Sequence, residues 1–193
     1  MIQNYINHIG SKTIETDRLI LRKFEIADTE IYAPVYYERE IIDSEKPVSQ
    51  QQIQSLKERI EYFSATDKYY WVIVEKNSGN LIGEVVFFDY DYDKTFSCVI
   101  GYQTSINNRN KGYMTEAVAR LLRFMILEVG FNRISGGHQA DNPASGKVMA
   151  KAGMKYEGTL RQDYANNDGT IVDSILYSMI KQDLEQSKGV GKL

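Results

Sequence analysis

Cysteine, tryptophan, histidine and proline are scarce in this chain of 193 residues, with one, one, two and three copies respectively. The single thiol, Cys98, excludes an intrachain disulfide and fits a reducing, cytoplasmic setting. With His8 and His138 as the only histidines and no metal-ligand spacing of Cys, His, Asp and Glu, no metal is expected. Long apolar runs are missing as well. The stretch near residue 121 is broken by Arg123, far short of the roughly 20 residues of a spanning helix, so no membrane partner is expected. The first residues, Met-Ile-Gln-Asn-Tyr-Ile-Asn-His, lack the apolar segment of a secretory leader. Charge of one sign is not in excess either. The balance of 23 basic and 26 acidic side chains gives a net charge of −3, which argues against a broad basic face and direct nucleic-acid binding. Internal repeats and low-complexity segments are absent.

What is present can build a core: 42% of residues are apolar and 14 are tyrosine. The reading is a single domain over 14–182, with a loose lead-in at 1–13 and a frayed tail at 183–193. Alternating or branched apolar residues predict strands at 19–22, 69–75, 81–88, 96–103, 133–139, 155–164 and 171–180. Helical spacing predicts helices at 26–37 and 48–63, the latter carried by Ile53, Leu56, Ile60 and Phe63. A third begins near Tyr113, with Met114, Ala117, Val118, Leu121, Leu122 and Met125 on one stripe and Gly130 as its stop. A fourth opens at Asn142-Pro143 and ends at Gly153. The order β-α-α-β-β-β-α-β-α-β-β predicts an α+β fold with about seven strands and about four helices. Its sheet is mixed and mostly antiparallel, with a parallel crossover possible within 96–139.

The densest chemical signal is Asn107-Asn-Arg109-Asn-Lys111-Gly112-Tyr-Met114-Thr115-Glu, between a strand and a helix. A short glycine-containing loop feeding a helix N-terminus suits phosphate, because the first helical N–H groups lack intrahelical partners and the dipole is positive there. The Walker spacing is absent, and so is the Gly-x-Gly-x-x-Gly of dinucleotide folds. An ordinary loop with a glycine at a tight turn is the bland alternative.

Arg109-x-x-Gly112-x-Met114 resembles the Arg/Gln-x-x-Gly-x-Gly/Ala pyrophosphate loop of the GNAT acetyltransferases, with Met114 departing from the small residue. Asn142-x-x-Ser145-x-x-x-Met149-x-Lys151-x-Gly153-Met154 resembles the family's second signature. Glu15-Thr16-Asp17-Arg18-Leu-Ile-Leu-Arg22 is similar to its opening strand, and 156–177 to its closing hairpin. The motifs run in family order over 14–182 and most resemble the ribosomal-protein-alanine N-acetyltransferase branch. The resemblance implies a GNAT fold with splayed central strands and acetyl-CoA as co-substrate. It implies cofactor contacts from Tyr102, Gln103 and Thr104 to the pantetheine arm, and from Arg109, Asn110, Lys111, Gly112, Tyr113, Met114 and Thr115 to the pyrophosphate. It also places Asn142 on a pantetheine amide and Ser145 near the leaving sulfur. For these two, helix capping and a local hydrogen bond are the bland readings. Tyr156, Tyr164 and Tyr177 rival Ser145 as proton donors to the thiolate.

The acceptor side is less marked. Some family members place a glutamate on the strand before the loop, where this chain has Val99. A lysine amine titrates near pH 10.4 and an α-amine near pH 7.7–8.0, so at neutral pH lysine is disfavoured by roughly 3 kcal/mol more. Lack of a strand carboxylate therefore leans toward an α-amine acceptor, or toward deprotonation through water. Glu84, His138, Asp141 and Glu157 remain as candidate bases. Asp89–Asp93, with Tyr90 and Tyr92, reads as either a cation grip or a solvated connector. Trp71, Tyr36 and Tyr37 read as core residues or as the lining of an acceptor pocket, with core the commoner role of such aromatics, and Cys98 reads as a small core residue. The leading reading is acetyl transfer to a protein or peptide N-terminal amine, by a monomer or homodimer. The alternatives are a small-amine acetyltransferase and a non-catalytic acyl-CoA-binding module.

Overall fold

The computed structural model describes residues 6–38, 41–42, 45–166 and 168–184. Four features of the sequence reading therefore lie wholly or partly outside the described residues. They are residues 1–5 of the lead-in, 43–44 of the link after the first helix, Asn167 in the last turn, and 185–193 of the tail.

Among the described residues eight strands are ordered β1-β2-β3-β4-β5-β6-β8-β7. They are β1 (Ile14–Glu15), β2 (Leu19–Lys23), β3 (Tyr69–Glu75), β4 (Leu81–Asp91), β5 (Ser97–Thr104), β6 (Arg133–Gln139), β7 (Lys155–Ala165) and β8 (Ile171–Ile180). β5 and β6 are parallel; the β1–β2, β2–β3, β3–β4, β6–β8 and β7–β8 pairs are antiparallel. The four longer helices among the described residues are α1 (Asp28–Tyr36), α2 (Gln50–Tyr62), α3 (Tyr113–Phe124) and α4 (Pro143–Lys151). This is the mixed, mostly antiparallel sheet that the element order predicts. The eighth strand, β1, is two residues long and carries too little pattern to be read from sequence. β4 continues to Asp91, so the first part of the expected 89–93 connector is strand.

The chain divides into two compact units, and each has its own logic. The first comprises His8–Phe88 and Gly101–Ala117. Its centre is β3, buried at every position before Glu75. Tyr70, Val72 and Val74, with Val86 of β4, pack with Phe24, Tyr32 and Ala33, with Leu56 and Ile60 of α2, and with Phe63 just after it. α2 starts where a Ser-x-x-Gln box closes: Ser49 Oγ accepts the Gln52 N–H at 3.2 Å, and Gln52 Oε1 accepts the Ser49 N–H at 2.9 Å. Arg22 and Asp28 form a two-pronged ion pair at 2.7 and 2.8 Å that ties β2 to the start of α1. Ser11 accepts the Tyr70 N–H, and Lys12 accepts the Trp71 indole N–H, both at 2.8 Å, fastening these lead-in residues to β3.

The second unit is built around Asp89–Ile100 and the chain from Val118. Here β6 pairs along its whole length with β8. Its parallel pairing with β5 covers only Ser97–Val99 against Arg133–Ser135. After Phe124 the helical ladder widens to a π-type turn, Met125–Val129. Gly130 ends it with φ +104°, a left-handed conformation that glycine adopts without a Cβ penalty.

Candidate active site

The Gly112 loop lies in the first unit. A 3-10 turn, Ile106–Asn108, leaves β5, and Asn110 and Gly112 take φ of +60° and +81°. The first rung of the α3 ladder is the Glu116 N–H donating to the Gly112 carbonyl at 3.1 Å. The N–H groups of Tyr113, Met114 and Thr115 thus precede the ladder and have no intrahelical acceptor. Arg109, Asn110, Lys111 and Gly112 are exposed, whereas the Met114 side chain is buried, its Cε close to Gly83 of β4. Met114 therefore replaces a small residue without covering the loop's backbone. Gly83 is itself required, because a Cβ there would lie 2.4 Å from the Gln103 carbonyl oxygen. Gln103 Nε2 donates to the Val35 and Tyr36 carbonyls at 2.9 Å each, holding the end of α1. Tyr102 and Thr104 are half-buried beside it, and Lys111 Nζ donates to Asn108 Oδ1 at 3.1 Å.

Glu84 is in the same unit, on the face of β4 that meets α1 and α2. It is 4% exposed and accepts the Tyr70 hydroxyl. Burial pushes its carboxyl up to about 7, against the opposing pull of the Tyr70 hydrogen bond and the Arg59 guanidinium. Arg59 stands over the Tyr36, Phe63 and Tyr70 rings, at 5.8, 5.2 and 5.0 Å from their centroids. The Tyr32 hydroxyl and Arg59 Nε are buried and make no hydrogen bond.

The second unit holds the other candidates. Asn142 precedes α4, and its side chain makes no capping hydrogen bond. Capping therefore does not account for that side chain, although its carbonyl accepts the Ser145 N–H at 3.2 Å. Ser145 lies half-buried in the first turn of α4. His138 is buried, and its Nδ1 lies 2.8 Å from the Gln139 carbonyl. A carbonyl only accepts, so Nδ1 is the donor in this contact. Nε2 faces α4 so closely that a Cβ on Gly146 would sit 2.4 Å from it. The ring also stacks on Tyr177 at 6.0 Å, and Tyr177 lies against Tyr156 at 5.9 Å. Tyr156 is 59% exposed, with its hydroxyl 3.0 Å from Thr159 Oγ1.

Glu157 is engaged by Arg133 and Ser178, and the Arg133 hydrogen bond, foremost, holds its carboxyl down at about 2. Asp141 accepts from Asn166 at 3.0 Å. Asp91 caps its own turn, accepting the Asp93 and Lys94 N–H groups and the Thr95 hydroxyl, while Tyr90 and Tyr92 stack on each other at 5.3 Å. Cys98 is buried, which pushes its thiol well up and away from nucleophilic chemistry. Trp71 is fully buried core. Among the described residues no helix is long and apolar enough to cross a membrane, and no three His, Cys, Asp or Glu side chains converge on a metal position. Sequence reasoning missed Arg18, Arg59 and Tyr70. Only Arg18 lay within a motif, and no local signal marked the other two.

Residues 18–155 match the acetyltransferase (GNAT) domain family. The chain is 28% identical over 172 residues to YoaA, an uncharacterized N-acetyltransferase of Bacillus subtilis, covering 87% of this chain and 96% of that one. It is 24% identical over 187 residues to the [ribosomal protein uS5]-alanine N-acetyltransferase of Escherichia coli, covering 93% and 96%. The crystal structure of the microcin C7 self-immunity acetyltransferase MccE, in complex with acetyl-CoA and AMP, shares the fold. Its TM-score is 0.71 at 21% identity, over 86% of this chain and 93% of that one. The chain belongs to the GNAT acetyltransferase family and is an N-acetyltransferase.

Proposed function

We propose that this enzyme transfers the acetyl group of acetyl-CoA directly to the N-terminal α-amine of a protein or peptide. The observation that carries the donor half is the Gly112 loop. Three helix-leading N–H groups, a left-handed glycine with no Cβ, and a Met114 side chain turned into the core make a backbone cradle of the kind a pyrophosphate fits. Thr115 adds a hydroxyl at the helix start, and Arg109 and Lys111 add charge. The end of β5, Tyr102 to Thr104, would take the pantetheine amides by strand addition. Asn142, with no capping bond to make, would hold a further amide of that arm.

In the reaction the amine nitrogen attacks the thioester carbon, the carbon–sulfur bond breaks, and the thiolate leaves while the nitrogen gives up a proton. Ser145 and Tyr156 are the candidate donors to the thiolate. Glu84, whose carboxyl burial lifts to about 7, is the candidate proton acceptor. His138 faces Gly146 and serves as packing for α4 in this reading. Val99 in place of a strand carboxylate supports an acceptor whose amine is already partly neutral at pH 7, as an α-amine is. The relative that acts on ribosomal protein uS5 points the same way.

The test is thiol release from acetyl-CoA with a panel of peptides bearing free N-termini, their N-blocked lysine-containing counterparts, and polyamines. Release with free N-termini and not with N-blocked peptides is the expected result. Release confined to the polyamines would move the acceptor to small amines, and no release across the panel would contradict the proposal.

A further inference from the structure

We propose that Arg18 is the positioning residue of the pyrophosphate loop, pinning the Lys111–Gly112 peptide so that its N–H faces the anion. The inference rests on the acetyl-CoA reading above and names a residue that reading does not use. Arg18 stands just ahead of β2, yet its Nη1 donates to the Lys111 carbonyl at 2.9 Å. Its Nε and Nη2 reach one oxygen of Glu116, Oε2, at 2.7 and 2.6 Å. The other oxygen, Oε1, accepts the Thr16 hydroxyl at 2.6 Å and the Arg18 backbone N–H at 3.1 Å. The Tyr113 ring lies 4.6 Å from the guanidinium carbon. Lys111 and Tyr113, on either side of Gly112, and Glu116, one turn into α3, thus converge on one side chain.

A trans peptide points its C=O and N–H to opposite sides. Holding the Lys111 carbonyl toward Arg18 therefore turns the Gly112 N–H away from Arg18, to the side left for an anion. Gly112, at φ +81°, has no Cβ to resist rotation of that peptide. A flipped peptide would set a carbonyl oxygen against the phosphates. Only a planar fork of N–H groups serves the Lys111 carbonyl and the Glu116 carboxylate together, so lysine is a poor substitute. The Arg18 side chain is 46% exposed, and an exposed ion pair contributes little to stability, so the effect belongs in donor binding.

The test compares wild type with Arg18→Gln and Arg18→Lys. Calorimetry gives the acetyl-CoA Kd. kcat/KM is measured with acetyl-CoA and with S-acetylpantetheine, which carries the thioester and arm but no pyrophosphate. Arg18→Gln should weaken acetyl-CoA binding about tenfold or more. It should leave kcat/KM for S-acetylpantetheine within about twofold, and Arg18→Lys should recover only part of the affinity. Unchanged acetyl-CoA affinity in both variants would overturn the pin and leave the acetyl-CoA reading intact. Equal losses with both donors would also overturn it, by showing a general structural role. A wild-type chain that does not bind acetyl-CoA would overturn the acetyl-CoA reading itself.

Discussion

Glu84 shows how a single residue couples chemistry to stability. Its carboxyl is raised from 4.5 to about 7, chiefly by burial. The folded chain therefore holds this proton more tightly than the unfolded chain. That contribution is complete below about pH 4.5 and is lost as pH rises through about 7. The loss is on the order of 3 kcal/mol, most of it between about pH 5 and 8. Glu84→Gln keeps the shape and cannot ionise. Urea unfolding should show the wild type losing on the order of 2 kcal/mol relative to Glu84→Gln between those two pH values, and parallel curves would contradict the buried, proton-holding carboxyl. If Glu84 accepts the proton in transfer, kcat/KM should rise with pH through a midpoint near 7 and level off above it, and that rise should vanish in Glu84→Gln. The residue type and strand of Glu84 were readable in the sequence. Its environment was not, because Tyr70, Tyr32 and Arg59 come from three other elements.

At the scale of elements, local pattern carried most of the information. β3 and β6 lie where alternation and branching put them, at Tyr69–Glu75 and Arg133–Gln139, and Gly130 stops the helix region as its position implied. The Ser-x-x-Gln box trims α2 to Gln50–Tyr62, and both halves of that box are sequence-local. The π-type turn is invisible in the sequence, since the apolar stripe continues through Met125 whether the ladder is α or π. The seat of α4 on β6 was equally hidden. Gly146 reads as a poor helix residue until the His138 ring is seen against it, where a Cβ would lie 2.4 Å from Nε2. Gly146→Ala should therefore destabilise the fold by about 2 kcal/mol in chemical unfolding. Most of that cost should disappear when Ala is introduced in a His138→Ala background, whereas an undiminished cost there would place the penalty elsewhere.

For the whole molecule, the motifs were legible one by one and in order, but not their meeting. Thr16 and Arg18 belong to the opening strand motif and Glu116 to the loop motif, separated by 98 residues at the Arg18 bond. Nothing local marks such a pair, so Arg18 read only as part of a strand signature. The donor half of the reaction is consequently the better specified half, resting on backbone geometry and on a network that braces it. The acceptor half rests on one carboxylate, Glu84, and on Val99. An acetyl-CoA titration of wild type, Gly112→Asp and Gly112→Asn tests the donor site most sharply. Asp and Asn tolerate a left-handed φ almost equally well, so their difference isolates the charge placed against the pyrophosphate. A pyrophosphate cradle at Gly112 requires saturable binding to wild type, a loss of about tenfold or more in Gly112→Asp, and a smaller loss in Gly112→Asn. Equal affinity in all three proteins would contradict it.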